Sequence, residues 1–189
     1  MENKLLEDFI VEDLPLDGLK LIKRRLKNDN RGFFSKIYCV DQFSVHGFLK
    51  PISQINHSFS SRIATIRGMH YQIHPYEDTK LVNLIRGEIV NVVVDLRVKS
   101  STFMKSYSVR LTEAENVGLL IPAGFAQGFQ TLSDNVDIIY CHTGKYVKDF
   151  ERGLNPFDPA FSIDWPLPVS EMSERDKSHQ FIDANFKGL

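Results

Sequence analysis

At 189 residues, 42% hydrophobic and 25% charged, the chain is long enough to bury one full core and short for two, so a single domain over residues 1–189 is expected. Its 23 Lys plus Arg against 24 Asp plus Glu give a formal net charge of -1, which excludes the broad positive field on which nucleic-acid and anionic-membrane binding rest. No run approaches the roughly 20 apolar residues of a membrane span. The longest, Val117 to Ala126, is broken by Pro122, and the opening MENKLLEDFI carries neither the basic nor the apolar region of an export signal, so a cytoplasmic location is expected. Cys39 and Cys141 fit neither a metal-binding spacing nor a disulfide framework and read as buried apolar residues in a reducing compartment.

In chain order, Leu16 to Leu26 reads as a strand and a turn, and β-rich runs follow at Gly32 to Val40, Ile63 to Ile66 and Lys80 to Ile85. From Gly87, GEIVNVVVDLRV sets Val90, Val92, Val94, Leu96 and Val98 on one face and Asn91, Asp95 and Arg97 on the other, the alternation of a strand buried on one side. Ser106 to Leu111 alternates likewise after a Ser-rich connection, which predicts an antiparallel hairpin. Glu113 to Asn116 reads as one helical turn, and Leu119 to Ile121 and Asp137 to Cys141 as further strands. The intervals are too short for crossover helices, so an all-β antiparallel barrel or double-sheet jelly roll is expected. Prolines punctuate Asn155 to Pro168, after which Ser170 reads as the N-cap of a short C-terminal helix packed on the barrel.

Three stretches carry the candidate chemistry. Arg67-Gly68-Met69-His70-Tyr71-Gln72 is followed, ten residues after His70, by Lys80-Leu81-Val82; on adjacent strands Arg67, His70 and Lys80 would face one cavity. Ile121-Pro122-Ala123-Gly124-Phe125-Ala126-Gln127-Gly128-Phe129 reads as a tight turn between barrel strands. Tyr140 stands thirteen residues after Gln127 on a strand, with Thr143 and Tyr146 beyond it. Taken singly these are ordinary. A lone barrel histidine is more often structural, a strand tyrosine belongs to the core with its hydroxyl at the rim, Asp176 is a solvated helix residue and Lys80 a surface lysine.

Together with Arg31-Gly32-Phe33-Phe34, Gln54-Ile55-Asn56-His57-Ser58, Glu151-Arg152-Gly153, Ile163-Asp164-Trp165-Pro166 and Ser173-Glu174-Arg175-Asp176, these stretches cover most of the chain in a consistent order. In them the chain resembles the cupin-type nucleotide-sugar epimerases, whose type member is dTDP-4-dehydrorhamnose 3,5-epimerase. The resemblance implies a cupin-like jelly roll, and a homodimer in which the strands around Arg31 to Phe34 reach the neighbour's sheet. It implies a nucleoside-diphosphate 4-keto-6-deoxyhexose as substrate. Protons on carbons 3 and 5, both adjacent to the keto group, would be removed and returned on the opposite face by enolisation, with no redox cofactor. His70 matches the base, Asp176 the carboxylate that orients it, Lys80 the cation near the keto oxygen and Tyr140 the acid on the far face. Arg67 is expected on the diphosphate and Tyr146 on the base, with Gln54 and Asn56 lining the site and Arg31 and Phe33 among the binding residues.

Metal-binding cupins resemble one another in a His-x-His and a histidine after a Pro-x-Gly turn. Here the first reads His70-Tyr71-Gln72 and the second ends in Gln127, so no catalytic metal is expected; His74 remains as a substitute ligand, in a loop before Pro75. Two residues depart from the epimerase pattern. Gln127 stands where the family generally has histidine, which removes any proton-transfer role there, and Lys36 stands where it usually has a glutamate near the nucleobase. A donor at 36 suits cytosine where an acceptor suits thymine; otherwise Lys36 is a solvent-facing strand residue. Three functions follow. They are the family default, a dTDP-4-dehydro-6-deoxy-D-glucose 3,5-epimerase of L-rhamnose biosynthesis; a single-carbon epimerase on another nucleotide sugar, such as a CDP-linked dideoxy-hexulose; and a non-catalytic carbohydrate-binding cupin, against which the retained acid–base set argues.

Overall fold

The computed structural model describes residues 8–183 and 185–189. In chain order its strands are β1 (Phe9–Asp13), β2 (Lys20–Arg24), β3 (Lys27–Asp29), β4 (Gly32–Phe34), β5 (Gln54–Ser60), β6 (Thr65–Gln72), β7 (Lys80–Arg86), β8 (Glu88–Asp95), β9 (Ser106–Thr112), β10 (Val117–Ile121), β11 (Phe125–Thr131), β12 (Val136–His142), β13 (Glu151–Gly153) and β14 (Glu171–Met172). Two short helices, α1 (Val40–Ser44) and α2 (Glu174–Ser178), complete it. One sheet runs β1-β2-β10-β7-β12-β5; the other runs β13-β6-β11-β8-β9, with β14 added in parallel to β6. From β5 to β13 the chain passes from one sheet to the other at each step except the β8–β9 hairpin, which is the winding of a jelly roll. The crossing from β10 to β11 is made by Pro122-Ala123-Gly124, with Gly124 at φ +85.

The core lies between the sheets, where Val82, Leu84, Ile89, Val93, Leu119, Ile121, Phe129 and Ile138 meet. Two further apolar layers cover the outer faces. Phe43 and Phe48, from α1 and the turn after it, pack on Ile22, Leu81, Leu120 and Cys141, while Leu154, Phe161, Ile163 and Trp165 of the C-terminal segment pack on Val90, Val92 and Val94. Cys141 is buried and Cys39 partly buried against the first of these layers, both as free thiols.

Several expectations are corrected. β8 is buried on both faces: its Val90, Val92 and Val94 lie under the C-terminal segment, and the face bearing Asn91 and Asp95 is also buried, with Val93 in the core between the sheets. Alternation marks two unlike faces but does not say which of them will later be covered. The run from Gly32 to Val40 forms only β4 before bending into α1. Ser170 does not cap the last helix; its hydroxyl donates to Ile63 O, and Ser173 is the N-cap. β6 and β7 belong to opposite sheets, so Arg67 and His70 face Lys80 across the interior instead of lying beside it. No helix of the described residues is long and apolar enough to cross a membrane.

Candidate active site

A cavity of about 1110 Å³ opens between the sheets, lined from β5, β6, β7, β11 and β12 and bordered by β14 and α2. Within its β6 wall, Gly68 sits between the lining residues Arg67 and His70. With φ at +119, and with any Cβ placed 2.5 Å from Gly128 Cα, this position admits only glycine. The conformation aims two groups at one carboxylate. Gly68 N donates to Asp176 Oδ2 at 3.1 Å and His70 Nε2 donates to Asp176 Oδ1 at 2.7 Å. Asp176 is itself held by the cap of α2, where its N–H donates to Ser173 Oγ at 3.1 Å. Burial pushes the Asp176 carboxyl up, but the His70 hydrogen bond and charge, with Gly68 N–H and Ser173, outweigh it and hold the group below its ordinary range. An ionised acceptor on Nε2 fixes the His70 tautomer, leaving Nδ1 as the nitrogen that can take a proton.

Tyr140 comes from β12, in the opposite sheet. Burial drives its phenol strongly up, against the charge of Arg67 and a hydrogen bond with Gln127, so the hydroxyl keeps its proton at neutral pH. Lys80 of β7 is buried, its Nζ donating to His70 O at 3.3 Å. A base, a cation and a protonated acid therefore line one cavity, the set that enolisation beside a carbonyl requires.

The pairing of β5 with β12 sets Gln54 opposite His142 and Asn56 opposite Tyr140. Gln54 Oε1 accepts from Tyr146 N at 3.0 Å; Tyr146 OH donates to Glu151 Oε2 at 2.7 Å, and Arg175 pairs with the same carboxylate at 2.6 Å. Arg67 donates to Ser60 Oγ and Phe59 O, both at 3.0 Å. Gln127 is buried, its Nε2 donating to Asn91 Oδ1 at 2.7 Å; this pair of amides neither gains nor loses a proton at neutral pH. His70, Asp176 and His179 bring ligand atoms within 4.8 Å of one another and so form a group able to hold a cation. Burial and the neighbouring His70 push His179 down, favouring its neutral form. His74 lies away from this group, 3.1 Å from Glu77 on an exposed loop.

The sequence profile of dTDP-4-dehydrorhamnose 3,5-epimerase matches residues 13–184. The chain belongs to the dTDP-4-dehydrorhamnose 3,5-epimerase family. It is an isomerase of the epimerase type. It is 37% identical over 174 residues to the dTDP-4-dehydrorhamnose 3,5-epimerase of Sinorhizobium fredii, spanning 92% of this chain and 89% of that one. The crystal structure of the dTDP-6-deoxy-D-glucose-3,5-epimerase of Legionella pneumophila with dTDP-4-keto-L-rhamnose superposes with a TM-score of 0.88 at 32% identity, covering 94% of this chain and 96% of that one. A Streptomyces niveus relative, 34% identical over 178 residues (93% of this chain, 86% of that one), is a dTDP-4-dehydrorhamnose 3-epimerase.

Within this epimerase-family chain the cavity gathers His70, Asp176, Lys80, Tyr140, Arg67, Gln54, Asn56, Gln127 and Tyr146. Arg31, Phe33 and Lys36 are not among its lining residues. Arg31 pairs with Asp29 at 2.7 Å, Phe33 is 63% exposed, and Lys36 Nζ donates to Asp8 Oδ2 at 2.6 Å. Sequence reasoning missed Asp78, His142, Glu151, Arg175 and His179. Glu151 and Arg175 stand in stretches that carry the resemblance, and His142, two places after Tyr140 on a strand, shares its face.

Proposed function

We propose that the chain, acting as one domain, epimerises a nucleoside-diphosphate 4-keto-6-deoxyhexose, with the dTDP-linked sugar as its substrate. The observation that carries this reading is the His70–Asp176 pair set in one cavity with Lys80 and Tyr140. His70 Nδ1 takes the proton from a carbon beside the keto group, and Lys80 stabilises the oxygen of the resulting enolate. Tyr140 gives its proton to the opposite face of that carbon, which inverts it. Arg67 and the Gln54–Asn56 edge hold the nucleotide end, with Tyr146 against the base.

The number of carbons inverted turns on the Gln127–Asn91 amide pair. Because it transfers no proton, it supports inversion of a single carbon, the reaction class for which the Streptomyces niveus relative is named. A cytosine preference loses its support within this chain, because the Lys36 ammonium is committed to Asp8.

The strand pair Lys27 to Phe34 leaves Phe33 and Phe34 63% and 64% exposed. Two adjacent bare aromatic rings favour a homodimer in which this arm meets the partner. Free Cys39 and Cys141 accord with the cytoplasm. The test is incubation with dTDP- and CDP-linked 4-keto-6-deoxyglucose in deuterated water, with the label located by NMR. Deuterium at carbon 3, carbon 5 or both of the dTDP sugar is expected; no exchange into either substrate refutes the reading.

A further inference from the structure

The cavity contains a second imidazole wired to a buried carboxylate. His142 lies two residues after Tyr140 on β12, and its Nδ1 donates to Asp78 Oδ2 at 2.6 Å, with side chains 14% and 4% exposed respectively. Burial pushes the Asp78 carboxyl up, but the His142 hydrogen bond and the charge of Lys80 outweigh it, so Asp78 is ionised. A carboxylate on Nδ1 holds the proton there and leaves the lone pair on Nε2. Its contact there is with Asn56 Nδ2 at 3.5 Å, a long, weak hydrogen bond that a closer donor would displace. The ring stacks on Tyr140 with centroids 5.9 Å apart and an interplanar angle of 20°, and the strand register sets His142 between Lys80 and Gln54.

Around it Lys80, Arg67, Asn56 and Tyr140 offer N–H or O–H, while the acceptors nearby are engaged: Asp78 by His142, Asp176 by His70, Glu151 by Tyr146 and Arg175, and the Gln54 carbonyl by Tyr146 N. Keto and phosphate oxygens are acceptors and suit those donors, whereas a lone pair on Nε2 suits a hydroxyl. We propose that His142, oriented by Asp78, is a specificity residue that accepts a hydrogen bond from a hydroxyl of the substrate's sugar ring. This rests on the reading of the cavity as a keto-sugar nucleotide site.

His142→Phe keeps a ring against Tyr140 and removes the acceptor. Its kcat/KM is measured by deuterium exchange with dTDP-4-keto-6-deoxyglucose and with its 2-deoxy and 3-deoxy analogues, alongside the affinity for dTDP alone. The expected result is a loss of about ten- to a hundredfold on the parent sugar that disappears for one of the two analogues, with dTDP affinity unchanged. An equal loss on all three sugars, no loss on the parent, or a matching loss of dTDP affinity overturns the proposal. If His142→Phe does not fold, Asp78→Asn, which releases the tautomer, is read in the same way and should give the same substrate pattern with a smaller loss. A wild-type chain that exchanges none of the three sugars overturns the underlying reading and the proposal with it; a wild type that exchanges them while His142→Phe matches it overturns the proposal alone.

Discussion

The barrel interior and the N-terminal arm handle charged and aromatic groups in opposite ways. Inside, two buried carboxylates are each held by a histidine from a distant part of the chain, as Asp176 reaches His70 across 106 residues and Asp78 reaches His142 across 64. In the arm the pairing is local and exposed: Arg31 bonds Asp29 two residues away, and Phe33 and Phe34 lie open to solvent. One buried group ties the arm down. Asp8 accepts from Lys36 at 2.6 Å and lies 3.1 Å from Lys27, so the first residue of β3 and a residue just after β4 converge on one carboxylate. The interior groups are fixed by long-range pairs, while the arm leaves two adjacent aromatic rings open to solvent, the surface on which the proposed homodimer rests.

That contrast can be broken at several points. The largest effect is expected from His70→Ala, which should lower kcat by about 10²–10⁴-fold with little change in substrate affinity, measured by steady-state kinetics and calorimetric titration. Arg67→Lys comes next. It removes the planar fork while keeping the charge, and should raise KM by about tenfold while changing kcat less; an unchanged KM would move the diphosphate site elsewhere. In the arm, Phe33→Ser with Phe34→Ser should shift the sedimentation coefficient toward that of a monomer and raise KM by a few-fold to about tenfold. A double variant with unaltered assembly and kinetics would make the arm a surface without a role.

The smallest effect concerns the anchor. Asp8 is held down to about 2 by its hydrogen bonds with Lys36 and Lys27. A carboxyl whose pKa is depressed on folding adds stability above its unfolded value, roughly 4, and loses that contribution as the pH falls toward 2. Asp8→Asn should therefore melt about 2–4 °C below the wild type at pH 7, with the gap closing toward pH 2. A gap that persists unchanged at low pH would show that the pairing is not electrostatic.

The same contrast explains what the sequence revealed. Strand periodicity by itself left Lys80 as a surface lysine and Tyr140 as a rim tyrosine; it was the resemblance that grouped them with Gln54 and Asn56, and all four line the same cavity. His142 obeyed the same rule as Tyr140 but was passed over because motif context drew attention to its neighbours. Asp78 precedes β7 in a loop, where no period dictates direction. Asn91 was read as an outward polar residue because the covering of the opposite face of β8 by Leu154 to Trp165 comes from residues more than 50 positions later. Lys36, which the resemblance set near a base and its strand context set toward solvent, meets Asp8, a long-range contact that no local pattern encodes.

The central claim is that a proton leaves by way of His70 and returns from Tyr140. Its most direct test is Tyr140→Phe beside His70→Ala in deuterated water, with solvent exchange and inversion followed by NMR on one sample. The account predicts that Tyr140→Phe still exchanges carbon-bound hydrogen while inversion falls, and that His70→Ala loses both. Equal loss of exchange and inversion in Tyr140→Phe, or continued exchange in His70→Ala, would contradict it.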